Sequence, residues 1–246
     1  MQSTPSYFKM SSPPVQFESV SLSFGDRQIL KEISYAFEAD KITAILGKSG
    51  SGKTTLLQII NGIIQPKSGA VKLFGHAIDF NNIQSLRLQI GYVVQQVGLF
   101  PHMTIQSNIG LLGRIIKMSK HEIVARVKEL AEIVQLPPSC LHQFPHQLSG
   151  GEQQRVGLCR AMFLNPPLLL MDEPFASLDY ETKKSIYQHL QSIQQHEPRT
   201  VALVTHDWEE ALTLADRFVW IKDGIIKERG DKSDLEKLKS IFLAEQ

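Results

Sequence analysis

The stretch Gly47-Lys48-Ser49-Gly50-Ser51-Gly52-Lys53-Thr54 constrains what this chain can fold into more than any other. It fits G-x-x-x-x-G-K-[ST] without a mismatch, and its flanks are the required ones. A short apolar run from Lys41 to Leu46 precedes it and a helical run from Thr54 to Asn61 follows. Glycines let the backbone curl until successive N–H groups point at one anion, and the following helix adds the positive end of its dipole. Lys53 supplies a mobile point charge for β- and γ-phosphates, and the Thr54 hydroxyl is a ligand of the kind Mg²⁺ takes.

Strands and helices alternate along the rest of the chain. From Val15 to Phe37 apolar and polar residues alternate around Gly25-Asp26, which predicts antiparallel strands. Residues 69–94 return to strand-like stretches (AVKLFG, IGYVVQ) around a polar segment. Between Met103 and Gln147 the period turns helical, first as IQSNIGLLGRIIKM and then as HEIVARVKELAEIVQL, which Pro137-Pro138 ends. LLLMDEP and VALVTHD, apolar throughout their strand portions, read as fully buried parallel strands. RFVWIKDGIIKERG reads as a hairpin turning at Asp223-Gly224, and Ser233 to Phe242 as a short amphipathic helix. The expectation is an α/β chain: a mostly parallel core sheet, an N-terminal antiparallel β-subdomain, and an α-helical subdomain inserted over about 96–160. Residues 1–14 are expected to be a loose leader, 15–235 the domain, and 236–246 a C-terminal helix and tail.

Leu168-Leu169-Leu170-Met171-Asp172-Glu173 places two carboxylates at the carboxyl end of a buried strand, where parallel sheets bind ligands. Asp172 is suited to hold Mg²⁺ through water, and Glu173 to polarise an attacking water as general base. Alone, the two acids read equally well as a solvated turn before Pro174; paired with the loop at Gly47 they read as the other half of one site. His206 ends a third apolar strand, a position where histidine is more often structural than catalytic, although a neighbouring Asp172 strand would bring it to a γ-phosphate. Gln95, taken over Gln96 because it directly follows the strand ending at Val94, is placed to contact Mg²⁺ or the attacking water. Spacing alone carries neither assignment.

Composition excludes several classes. The 246 residues hold 26 Lys plus Arg and 25 Asp plus Glu, a formal charge of +1, so no strong field for nucleic acid or anionic lipid is implied. Apolar runs such as Leu168–Met171 fall far below the ~18 residues a membrane span needs. The polar, proline-bearing N-terminus lacks the apolar stretch of a signal peptide. Cys140 and Cys159 are too few for a disulfide scaffold and too far apart for a C-x-x-C site, so they read as idle thiols in a reducing compartment.

Leu148-Ser149-Gly150-Gly151-Glu152-Gln153-Gln154-Arg155 is a second helix start with a hydroxyl and two glycine N–H groups. It resembles the signature of ATP-binding cassette (ABC) ATPases, a family with the P-loop NTPase fold, and the other motifs stand in that family's order over residues 15–235. The phosphate loop comes first, then the Q-loop glutamine at Gln95, the signature, the Walker-B-like LLLMDE, a D-loop-like Ser177-Leu178-Asp179, and a switch histidine at His206. The resemblance implies a hydrolase of ATP that uses Mg²⁺. Glu173, His206, Gln95 and Lys53 would be catalytic, and Thr54, Gln95 and Asp172 would hold the metal. Phe24 would stack on adenine, and Gly47, Lys48, Ser49, Gly50, Ser51, Gly52, Lys53, Thr54 and Thr55 would take the nucleotide. Ser149, Gly150, Gly151 and Asp179 would complete the site of a second copy, because cassettes of this family pair head to tail with ATP between loop and signature; with one signature present, a homodimer is implied. Lys48 stands where relatives often carry Pro, and Cys159 where they often carry Ala.

The resemblance further implies transmembrane permease subunits as partners, a peripheral place on the cytoplasmic face of the inner or plasma membrane, and no nucleic acid. Val97 to Met103 is the candidate docking patch, exposed or else packed on the helical subdomain. QQVGLFPHMTIQSNI and THDWEEALTLADR look most like importers of polar amino acids and quaternary-amine osmoprotectants, which use a substrate-binding protein. The regulatory C-terminal domains of some osmoprotectant relatives are not expected here. The alternatives are the ATPase of a lipid or drug exporter, or a soluble ABC ATPase of DNA repair or the ribosome; a small-molecule kinase would share the phosphate loop but has no use for LSGGE.

Overall fold

A computed structural model describes residues 12–95 and 97–244. The expected leader lies outside them up to residue 11, as do Gln96, the alternative to Gln95, and the last two residues of the tail.

Two sheets organise the chain. In the first, β1 (Val15–Phe24) pairs antiparallel with β2 (Arg27–Phe37) on one side and β4 (Ser68–Leu73) on the other, with β5 (His76–Ala77) at the edge. β1 buries Val15 and Phe17, then Val20 and Leu22, a one-residue slip in the alternation. The backbone accommodates the slip by a bulge: Ser19 takes φ +48°, and the register jumps from Phe17↔Tyr35 to Val20↔Ile33.

The second sheet has the order β10-β9-β3-β8-β7-β6, built from β3 (Ile42–Leu46), β6 (Ile90–Val93), β7 (Leu168–Asp172), β8 (Thr200–Val204), β9 (Arg217–Lys222) and β10 (Ile225–Asp231). All neighbours are parallel except the β9–β10 hairpin, whose turn puts Asp223 and Gly224 at φ +53° and +77°. The parallel strands are apolar throughout because both faces are covered. Ala44, Leu169, Met171, Val201 and Leu203 face one buried cluster, and Ile45, Leu168, Leu170, Ala202 and Val204 face the other. The second cluster contains the first sheet and helix α1 (Lys53–Ile60).

The stretch between β6 and β7 carries helices α3 (Ile105–Ile109), α4 (Leu111–Ile115), α5 (Lys120–Ile133) and α6 (Gly150–Met162), after the short α2 (Gln84–Arg87) that precedes β6. Their buried residues, among them Ile109, Val127, Leu130 and Val156, share one continuous core with the sheet face at Ala44 and Met171. The single helix expected from IQSNIGLLGRIIKM is instead two, broken at Gly110. A Cβ there would stand 2.6 Å from Ile123 Cγ2, and one at Gly113 would stand 2.6 Å from the Phe163 ring. Both glycines serve close packing of α5 and α6 rather than helix continuity. Pro137-Pro138 does not end α5, which stops earlier, at Ile133. Gln135 takes φ +53° and Leu136 N donates back to Ala131 O at 2.8 Å, and the prolines only open the following 3₁₀ turn over Pro138–His142. α7 (Tyr180–His196), α8 (Trp208–Leu214) and α9 (Lys232–Ala244) complete the chain. No helix among the described residues is long and apolar enough to cross a membrane.

Candidate functional site

The carboxyl ends of β3, β7 and β8 lie side by side, so the loop after β3 meets the acids after β7 and the histidine after β8. The loop itself is backbone-driven. Gly50 and Gly52 take φ +75° and +105°, and a Cβ on Gly47 would stand 2.2 Å from the Ile221 carbonyl oxygen. Gly52 caps α1 without any side-chain hydrogen bond, so the first N–H groups of that helix have no side-chain acceptor at the cap. Lys53 is buried and its Nζ donates to the carbonyls of Gly47 (2.7 Å) and Lys48 (2.9 Å). Burial pulls its pKa below the ordinary lysine value, while Glu173 and Asp172 oppose that fall. Ser51 Oγ is buried with no hydrogen-bond partner among the described residues. An orphaned hydroxyl, open N–H groups and an ammonium around one concavity fit phosphate oxygens.

The loop lines a cavity of about 290 Å³, together with Gln95 and Glu173 opposite and Arg27 and Ile29 from β2. Thr54 Oγ1 donates to Asp172 Oδ1 at 3.1 Å. Burial raises the Asp172 pKa above its ordinary value, partly offset by that Thr54 bond. Glu173 sits between two partners: Gln95 Nε2 donates to its Oε2 at 3.1 Å, and His206 Nδ1 lies 3.2 Å from its Oε1. Its backbone takes φ +48°, with its N–H donating to Val204 O at 2.9 Å. Around His206, Thr205 Oγ1 donates to Glu210 Oε2 (2.6 Å) and accepts from Asp207 N (3.0 Å), while Lys183 bridges Asp207 and Glu210. Among the described residues no cluster of His, Cys, Asp and Glu could hold a metal unaided. A hydroxyl, a carboxylate and an amide oxygen completed by phosphate are the kind of donor set Mg²⁺ accepts.

Of the remaining predicted residues, Thr55 alone lines this cavity. Phe24 ends β1 with 54% of its surface exposed. Lys48 lends its carbonyl to Lys53 and to Ser51 N, its own side chain exposed. Thr55 lines the cavity beside Thr54. Ser149, Gly150 and Gly151 open α6, and none of them lines the cavity. Ser149 Oγ accepts from Glu152 N and donates to Glu152 Oε2 (2.9 Å), which also takes Ser149 N (2.8 Å). Asp179 caps α7 through Thr182, and those bonds hold its pKa below the usual carboxylate range. In the Val97–Met103 loop Leu99 packs on the core while Phe100 is 41% exposed, so both expected arrangements occur, at different residues. Buried Asn108 clamps Phe100 N and O, and Arg160 donates to Val97 and Gly98 carbonyls. Cys159 is fully buried and its thiol is pushed up to about 12, as an idle thiol should be.

Arg27 and Gln154 belong to the site but escaped the sequence reading. Arg27 follows the turn after Phe24, and its guanidinium would stand 3.8 Å from a Cβ on Gly50. Gln154, on α6, bonds the backbone of Glu173 and Ser177. Neither is signalled by local spacing, since each joins segments distant in sequence.

The sequence matches the family described as ABC transporter over residues 30–176, more than half of the chain. The chain belongs to the ABC transporter family. It is 40% identical to the choline transport ATP-binding protein OpuBA of Bacillus subtilis (strain 168), over 89% of this chain and 58% of that protein. It is 37% identical to the glycine betaine uptake system ATP-binding protein YehX of Escherichia coli (strain K12), over 88% of this chain and 70% of that one. The chain thus spans somewhat over half the length of the first of these relatives. Its fold matches a bacterial ABC transporter cassette solved as a dimer and in a post-hydrolysis state with ADP and phosphate. The TM-score is 0.83 at 32% identity, over 89% of this chain and 98% of that one.

Proposed function

We propose that this chain is the ATP-hydrolysing subunit of an importer for quaternary-amine osmoprotectants, working as a head-to-tail pair with a second copy. The observation that carries the reading is the Glu173 carboxylate, held at 3.1 Å and 3.2 Å between Gln95 and His206 at the edge of a cavity that Lys53 and the glycine loop line. Polar amino-acid import, the broader expectation, narrows to osmoprotectants because the choline and glycine betaine proteins named above are among its similar relatives, at 40% and 37% identity.

In this reading the loop N–H groups and Lys53 bind the β- and γ-phosphates of ATP, and Phe24 stacks on adenine. Thr54 and Asp172, with Gln95, hold Mg²⁺, which when bound neutralises charge developing on the transferred phosphoryl group. Glu173 accepts the proton of the attacking water, and Gln95 and His206 keep its two oxygens oriented. Ser149 and its glycines engage the nucleotide of the second copy. Gly150 supports that assignment: a Cβ there would meet nothing within 4 Å, so no neighbour in this chain requires a glycine. Its surface is therefore open to a body from outside the chain. Permease subunits dock at Phe100 and its loop, hold the chain at the cytoplasmic face of the membrane, and receive cargo from a substrate-binding protein.

The test is the pair of wild type and Glu173→Gln with Mg²⁺ and ATP. The wild type releases phosphate; the variant binds ATP, loses on the order of 10²–10⁴-fold in turnover, and accumulates as an ATP-dependent dimer by size-exclusion chromatography. Wild-type turnover in the variant removes Glu173 as base. Cells lacking the chain should lose high-salt uptake of radiolabelled choline or glycine betaine; unchanged uptake of both would refute the cargo class.

A further inference from the structure

We propose that Gln154 is a positioning residue for hydrolysis, fixing the backbone of Glu173 and tying it to the helix that begins at Ser149; this rests on the function proposed above. Its amide is 2% exposed and both ends are used. Nε2 donates to the Glu173 carbonyl at 3.0 Å, and Oε1 accepts from Ser177 N at 2.9 Å. One side chain thus closes both ends of the segment Glu173-Pro174-Phe175-Ala176-Ser177.

That segment needs an external hold. Glu173 takes φ +48°, a conformation disfavoured for residues with a Cβ, and Pro174 removes a backbone donor from the turn. The other backbone bonds of the segment are Glu173 N to Val204 O, a long turn bond from Ala176 N to Glu173 O at 3.4 Å, and Leu178 N to Phe175 O at 3.1 Å, of which only the first ties Glu173 to another element. The Glu173 carboxylate reaches Gln95 and His206 from this backbone, so a small rotation at Glu173 moves its oxygens out of line with both. Displacements of about 1 Å at a reacting group cost on the order of 10²-fold in rate.

The helix itself is the lever. Gln154 lies five residues after Ser149, about 7.5 Å along the axis. A Cβ on Gly151 would stand 3.3 Å from Ser177 O and from Leu178, so the start of α6 also rests directly on the segment that Gln154 holds. Gln153, its neighbour, points elsewhere: its Nε2 donates to Pro145 and Leu148 carbonyls and braces the chain entering Ser149. Engagement of a second copy's nucleotide at Ser149 therefore bears, through α6 and Gln154, on the base of this copy's own site. Hydrolysis at one site is coupled to occupancy at the other by a rigid element.

The experiment is a double-mutant cycle in the full chain, pairing Gln154→Leu with Glu173→Gln. In the wild-type background Gln154→Leu should lower kcat on the order of 10- to 100-fold and leave KM for ATP within about twofold. With Gln at position 173 the same substitution should lower the residual turnover by less than about threefold, because the group it positions is gone. Equal losses in both backgrounds, a kcat within about threefold of wild type, or a raised KM at unchanged kcat would each overturn the proposal. If Gln154→Leu fails to bind a fluorescent ATP analogue, Gln154→Asn decides. It keeps the polar group but falls a methylene short of spanning both bonds, so about a tenfold loss in kcat is expected and wild-type kinetics overturn the proposal. A wild type that hydrolyses nothing overturns the functional reading and this inference together; one that hydrolyses normally, with both Gln154 variants unimpaired, overturns this inference alone.

Discussion

Helices α5 and α6 begin with the same device, and they differ in the two residues that follow the serine. In Ser119-Lys120-His121-Glu122 the serine Oγ accepts from Glu122 N and the carboxylate accepts from Ser119 N. Ser149-Gly150-Gly151-Glu152 repeats the reciprocal pair bond for bond. A capping box satisfies two orphan donors of a helix start, and α5 shows that this needs no glycine. Subtract the cap from α6, and Gly150 and Gly151 remain. Gly151 is explained by its contact with Ser177 and Leu178, whereas Gly150 faces open space. The two starts are thus structural twins that differ at Gly150, a glycine that no contact within the described residues explains.

The strongest way to break that comparison is to place the same large cation at both serines. Ser149→Arg should abolish the ATP-dependent dimer and lower hydrolysis on the order of 10²-fold or more, as loss of a preorganised anion contact does. Ser119→Arg should leave both intact and affect only stability. Binding of a fluorescent ATP analogue by the single chain should stay within about twofold in either variant. Its collapse in Ser149→Arg would mean that the signature serves the chain's own nucleotide. Equal kinetic effects at the two serines would make α6 a helix start and nothing more.

A subtler variant separates the glycine from the cap. Gly150→Ala meets no neighbour and favours the helix, so the isolated chain should gain about 0.4–1 kcal/mol in urea denaturation. Hydrolysis should fall on the order of tenfold as the new methyl enters the dimer interface. A variant both more stable and less active cannot be explained by folding. One equally active would leave Gly150 without a role.

Legibility in the sequence followed the range of each interaction. The phosphate loop was readable because its chemistry lies within eight consecutive residues, and the parallel strands because burial on two faces leaves them uniformly apolar. Asp172 and Glu173 followed from the strand they end. The need for a glycine at Gly110 was hidden because it comes from the approach of Ile123 on another helix. Gln154 was hidden within the signature itself, its bonds reaching residues 19 and 23 positions onward. Arg27 reaches the loop only because β2 runs past it: a Cβ on Gly52 would stand 2.6 Å from Leu30 and 3.2 Å from Ile29 O. What spacing conveys is the chemistry of one segment; what it omits is which second segment holds that chemistry in place.

The serine caps themselves should be interchangeable. Ser119→Ala and Ser149→Ala should each cost about 1 kcal/mol, which for a chain of this size shifts the thermal midpoint by about 2–4 °C. Hydrolysis should fall only in Ser149→Ala. Unequal stability losses would show that one serine does more than cap its helix.

The smallest effect lies in the acid limb of stability, where the twins should behave alike. Hydrogen bonds from Ser119 and Ser149 hold the Glu122 and Glu152 carboxyls below their ordinary pKa. A carboxyl whose pKa is depressed by folding contributes stability above its unfolded value, and that stability is lost as pH falls through the folded one. Both caps should therefore weaken as the pH drops below about 4.5, the unperturbed glutamate value. Glu122→Gln and Glu152→Gln keep an acceptor for the serine N–H but cannot ionise, so each should flatten the decline of urea midpoints below that pH. Glu152 also accepts from the Cys140 thiol at 3.6 Å, a contact Glu122 lacks. A larger change for Glu152→Gln than for Glu122→Gln would assign that contact a part in the cap. No change in either would break the equivalence of cap and carboxylate on which the comparison stands.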